Sequence, residues 1–131
     1  MGCLLMKPAV EILEEKLSKR WLSNKAVRDG MIACFIKTFQ AYDQKMGRVR
    51  SEPQVNKAVH DVAEVVFAEI GVGFEVPTLE ELKRIKGMMD ERLGLRQIQV
   101  SNPGLYEEHE RICEALFSKM DSSSEDSARQ A

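Results

Sequence analysis

Apolar residues recur every three or four positions through most of the chain, the spacing of a stripe along an α-helix. Val10, Leu13, Leu17 and Trp21 form the first stripe, with Glu11, Glu14, Glu15, Lys16 and Lys19 largely off it. The stripe predicts a helix from Pro8 to Leu22. Pro8 suits its first turn, where a missing N–H costs nothing. Ser23 or Asn24 then caps a second helix carrying Val27, Met31, Phe35, Phe39, Tyr42 and Met46. Ile32 and Ile36 widen its apolar face, so this helix is expected to be the most buried, and Gly47 stops it.

The third helix has the sharpest start. Ser51 and Gln54 match a capping box, with Pro53 in the first turn. Val55, Val59, Val62, Val66 and Ile70 form its stripe, and Gly71 closes it. Thr78 and Glu81 make a second capping box after "GVGFEVP". Leu79, Leu82, Ile85, Met89 and Leu93 follow, and Gly94 stops that fourth helix. "RQIQVSNPG" alternates polar and apolar residues, but a lone strand has no partner, so a loop is expected there. A fifth helix starts at Pro103 and aligns Leu105, His109, Ile112, Leu116 and Met120. "DSSSEDSARQA" holds almost nothing to bury and reads as a disordered tail. The expected architecture is all-α: a compact bundle of four to five amphipathic helices over residues 8–120. A frayed lead-in over 1–7 and a tail over 121–131 flank it.

Composition fits this reading. A chain of 131 residues with 44% hydrophobic residues can bury a core without a disulfide or metal staple. The longest apolar run, "MIACFI", is far short of the ~20 residues that span a bilayer. An odd set of cysteines (Cys3, Cys34, Cys113) without an export signal points to free thiols in the cytoplasm. The net charge of −2 conceals an asymmetry. Residues 1–57 carry 11 Lys/Arg against 6 Asp/Glu, and residues 58–131 carry 8 against 15. The acidic total weakens any phosphate-driven affinity, so no nucleic-acid partner is expected.

Few residues offer chemistry. A carboxylate-bridged di-metal bundle needs Glu three residues before each His. Those positions hold Lys57 and Tyr106 instead. His109 and Cys113 stand one turn apart on one face, which is legitimate zinc spacing, with His60 and Cys34 as the remaining soft ligands. The expectation for all four is packing rather than ligation, with no cofactor. No glycine elbow or oxyanion loop accompanies the thiols, so no catalytic residue is assigned. The glycine-bounded loop with Val72, Phe74 and Val76 and the basic stretch with Arg48 and Arg50 are the expected contact surfaces. Trp21 and Phe74 would anchor a partner if exposed, though their expected place is the core.

The resulting expectation is a non-catalytic protein-interaction or regulatory module whose partner is another protein or a second copy of itself. The first alternative lies at the amino terminus. Gly2 followed by Cys3 is how a doubly acylated peripheral membrane protein begins, and the basic first half would suit an anionic leaflet. Met6 stands where Ser or Thr is usual, and Met6-Lys7 is itself a plausible start. The second alternative is a bundle that binds zinc or a small ligand.

Overall fold

A computed structural model describes residues 9–47, 51–72 and 77–130, with the backbone alone over 121–130. Among the described residues there are six helices: α1 Ala9–Ser18, α2 Asn24–Lys45, α3 Glu52–Ile70, α4 Leu79–Leu93, α5 Leu95–Ser101 and α6 Pro103–Gln130. No strand occurs among the described residues.

The start signals act as read. Ser23 accepts the backbone N–H of Ala26 at 3.1 Å and caps α2. Asn24, the other candidate cap, instead donates to the Pro77 carbonyl at 2.7 Å. Ser51 and Thr78 each exchange two hydrogen bonds, with Gln54 and Glu81 respectively, so both capping boxes close. Each such cap satisfies backbone donors that the first turn cannot. Gly71 and Gly94 end α3 and α4 with φ of 80° and 76°. This left-handed conformation penalises any residue with a Cβ. After Gly71, the Val72 N–H reaches back to the Phe67 carbonyl at 3.1 Å, a Schellman turn. Val72 accordingly packs on the core from a half-buried position.

α2 is the central element, as its apolar breadth predicts. It packs on α1, α3 and α6 and touches α4. Val27, Met31, Cys34 and Phe35 are fully buried on it. α6 lies antiparallel to α2. Gly30 faces Leu116, Cys34 faces Cys113 and His109, and Lys37 faces Glu108, so the partner number falls as the α2 number rises. Gly30 explains how closely the two helices approach. A Cβ there would lie 2.9 Å from Leu116 Cδ2. Glycine costs a helix interior about 1 kcal/mol relative to alanine, and here it admits a branched side chain from the neighbour.

Two expectations need correction. α1 ends at Ser18, a turn before Leu22, and its buried face runs through Ala9 and Leu13. Val10 and Trp21 are therefore exposed, while Leu22, beyond the helix, is buried. Trp21 lies under the Arg20 guanidinium at 5.3 Å rather than in the core. The stretch expected to be a loop after Gly94 is α5. Leu95 and Ile98, three apart, are both buried and hold it on the core. Val100 is 76% exposed, so of the apparent Ile98–Val100 alternation only Ile98 is buried. The backbone of α6 runs on as helix to Gln130. Propagating an existing helix gains one hydrogen bond per residue and needs no new nucleus, so it does not require buried side chains.

Candidate functional site

Gly30, Cys34 and Thr38 recur at one-turn intervals on the face of α2 that meets α6. Cys113 and His109 recur likewise on α6. The close approach at Gly30 brings these faces together one turn further along. The Cys34 Sγ then lies 3.4 Å from His109 Nδ1, and Thr38 Oγ1 lies 3.1 Å from the same nitrogen. Cys113 Sγ is 4.0 Å from His109 Nε2. The Phe35 ring meets the imidazole edge-on at a centroid distance of 4.5 Å.

α4 supplies the opposite wall. Leu82, Ile85 and Met89 fill the core, and Lys86 and Asp90 stand one position beyond Ile85 and Met89. That offset turns them towards α6. Asp90 Oδ1 lies 3.3 Å from His109 Nε2, while Oδ2 accepts from Lys86 Nζ at 2.7 Å. Lys86 also pairs with Glu110, whose other oxygen accepts from the Tyr106 hydroxyl at 3.2 Å. A continuous polar chain thus runs from Cys34 through His109, Asp90 and Lys86 to Glu110. Asp90 Oδ1 is buried and makes no hydrogen bond among the described residues.

The electrostatics follow from this chain. Burial alone would push His109 down, but Asp90 and Cys34 outweigh it and hold the imidazole up at about 9. The Cys34 thiol is lowered, first by the hydrogen bond from the Cys113 thiol and then, against burial, by His109. Cys113 is raised by that same hydrogen bond and by burial. Burial would lower Lys86, yet the Asp90 and Glu110 carboxylates raise it well above an ordinary lysine. These shifts favour charge separation between Cys34 and His109, with the proton held on the imidazole, and favour the protonated form of Cys113.

Access is the limiting property. The His109 side chain has no exposed surface, and both thiols are fully buried. The void beside His109, bordered by Thr38, Leu105 and Ile112, measures about 10 Å³. That is room for about one water molecule. Larger hollows lie elsewhere. One of about 320 Å³ opens between Phe39, Tyr42, Val59 and Ile98. Another of about 440 Å³ runs along the outer side of Lys86 and Glu110.

Of the four soft ligands, Cys34, His109 and Cys113 come together, whereas His60 is exposed on α3 and outside the group. The contact residues Arg48, Arg50, Phe74 and Val76 and the acylation residues Gly2 and Cys3 lie outside the described residues, as does Pro8. Sequence reasoning missed Asp90, Lys86, Thr38 and Glu110. Lys86 and Asp90 have the i, i+4 spacing of a surface ion pair. Only the one-residue offset from the Ile85/Met89 stripe hints that they face inward.

Fold and centre together define an all-α bundle in which a buried Cys–His cluster continues through the half-buried Asp90 and Lys86 and joins α2, α4 and α6. No known family, curated protein or solved structure matches this chain. No described helix is long and apolar enough to cross a membrane.

Proposed function

We propose that this chain is a non-catalytic helical module that acts by contact with another protein or with a second copy of itself. The observation that carries this reading is the sealing of its reactive groups. A thiolate–imidazolium pair is strong nucleophilic chemistry, but a substrate needs a concave site of several hundred Å³ around it. The void beside His109 measures about 10 Å³. Neither of the larger hollows beside Tyr42 and beside Lys86 is lined by Cys34 or Cys113. Chemistry so enclosed serves to hold helices together. The surface is then what meets other molecules. It carries Trp21, half exposed and backed by Arg20, together with exposed Val65 and Met46. Aromatic residues of this kind are enriched at the centres of interfaces. A cytoplasmic location is part of this proposal, since two free thiols suit a reducing compartment.

A photo-crosslinking amino acid at position 21 tests the reading in the native cell, with position 64 as an exposed acidic control. The expected result is a discrete adduct from position 21, either a dimer of the chain or one defined protein, and none from position 64. Sedimentation then shows self-association if the adduct is a dimer. A monomer at all micromolar concentrations, with no position-specific adduct, would contradict the proposal.

A further inference from the structure

The geometry points to a zinc site built from Cys34, Cys113 and the Nδ1 atom of His109, with Asp90 holding the imidazole from behind. This inference is independent of the contact role, since a structural metal serves any use of the fold. One donor atom from each of the three residues lies within 4.8 Å of the others. In a tetrahedral zinc site, bonds of 2.3 Å to sulfur and 2.0–2.1 Å to nitrogen place neighbouring donors about 3.5–3.8 Å apart. The Cys34 Sγ–His109 Nδ1 separation of 3.4 Å already matches such an edge. Cys113 Sγ lies beside the Cys34 thiol and 4.0 Å from Nε2, so its side chain must turn towards Nδ1 to complete the ligand set. The void of about 10 Å³ lined by Thr38 and His109 has room for a water as the fourth ligand.

The surroundings of the histidine argue for a metal more strongly than the donor count does. A metal-bound imidazole usually donates its second N–H to a carboxylate, which fixes the tautomer and the ring angle. Asp90 Oδ1 stands 3.3 Å from His109 Nε2 and is buried without a hydrogen bond. With zinc on Nδ1, the proton sits on Nε2 and points to that oxygen. Asp90 is in turn fixed by Lys86 at 2.7 Å. The three ligands come from two helices and the support from a third, so the site joins α2, α4 and α6. Two thiolates and an imidazole are soft or borderline donors that suit zinc and not magnesium or calcium. Binding balances simply: Zn²⁺ takes up the two thiolates and the neutral imidazole, and two protons pass to solvent. No electron moves.

The centre is enclosed, so the metal enters as the chain folds. The test is therefore refolding of the reduced, full-length chain from urea with cobalt(II), followed by displacement with zinc(II). The expected product holds one cobalt per chain, shows a thiolate-to-cobalt charge-transfer band with intense tetrahedral d–d bands, and loses both when zinc is added. Cys34→Ser and Cys113→Ser should each reduce the affinity at least 100-fold. Asp90→Asn should reduce it about 10–100-fold. His60→Ala and Cys3→Ser should leave the spectrum unchanged. A refolded wild-type chain with no charge-transfer band at saturating cobalt would overturn the site, as would a band that persists undiminished in the Cys34→Ser/Cys113→Ser double variant. Because serine variants can fail to fold, the wild type supplies a second readout. Its thermal midpoint should rise when refolded with zinc, and an unchanged midpoint counts against the proposal.

Discussion

Replacing His109 by alanine is expected to destabilise the chelator-treated fold by about 3–5 kcal/mol, the range for truncating a large buried ring. The imidazole is 1% exposed and touches Phe35, Cys34, Thr38 and Asp90. Its removal leaves a cavity between α2, α4 and α6 and takes the partner from Asp90 Oδ1. A domain of this kind has only about 5–15 kcal/mol in total, so the variant should melt at least about 10 °C lower. His109→Phe separates the two causes. It refills most of the volume but cannot form the ion pair with Asp90 or meet Cys34, and a buried polar group left unpaired costs about 1–3 kcal/mol. Urea unfolding of the three proteins, with equal slopes, measures both quantities. A His109→Ala cost below about 1 kcal/mol would mean that the ring is not packed as described.

The second large effect lies at Lys86. Its side chain is 13% exposed and sits between Asp90 (21%) and Glu110 (34%). Lys86→Met keeps most of the aliphatic volume but leaves two carboxylates facing each other across α4 and α6. Removing one partner of a fully buried pair costs about 3–5 kcal/mol, and the partial exposure here reduces that to about 2–3 kcal/mol. Adding Glu110→Gln should recover about 1 kcal/mol, because one uncompensated charge is then gone. The pH dependence has a defined sign. The carboxylates raise the folded-state pKa of Lys86 above its ordinary value. Its stabilisation is therefore complete below the unfolded-state pKa and fades only as pH rises through the higher folded-state value. The difference between wild type and Lys86→Met should hold steady across neutral pH and shrink only in strong alkali. Chemical denaturation at several pH values checks this, and a difference that vanished by pH 8 would be inconsistent with it.

These two residues show where the sequence is a good guide and where it is not. Helix starts were legible because a capping box is a local pattern: Ser51 with Gln54 and Thr78 with Glu81 complete their bonds within four residues. The central place of α2 was legible because it is apolar almost all round. Trp21 misled because its spacing from Leu17 fits a helix that in fact stops at Ser18, after which Leu22 takes the buried position. α5 was missed because Val100 imitates a strand although it is exposed. Residues 121–130 are helical although nothing in their composition demands burial. Of the centre, the His109–Cys113 spacing was visible, since both lie on one helix. Cys34, Thr38, Asp90 and Lys86 join them only through tertiary packing. The close approach at Gly30 that permits it is encoded by the absence of a side chain. An isolated glycine in a helical pattern cannot announce what lies opposite.

The central claim is that the thiol–imidazole chemistry of this bundle is sealed inside it. Alkylation of Cys34 and Cys113 in the reduced, chelator-treated native protein, read residue by residue by mass spectrometry, tests it most directly. A thiol that reacts only when the fold opens is slowed by the unfolding equilibrium, here at least about 1,000-fold relative to the same chain in urea. Both residues should show that protection and lose it together as urea unfolds the protein. Labelling of either one in the native state at a rate within tenfold of the unfolded chain would contradict the claim, and with it the non-catalytic reading that rests on it.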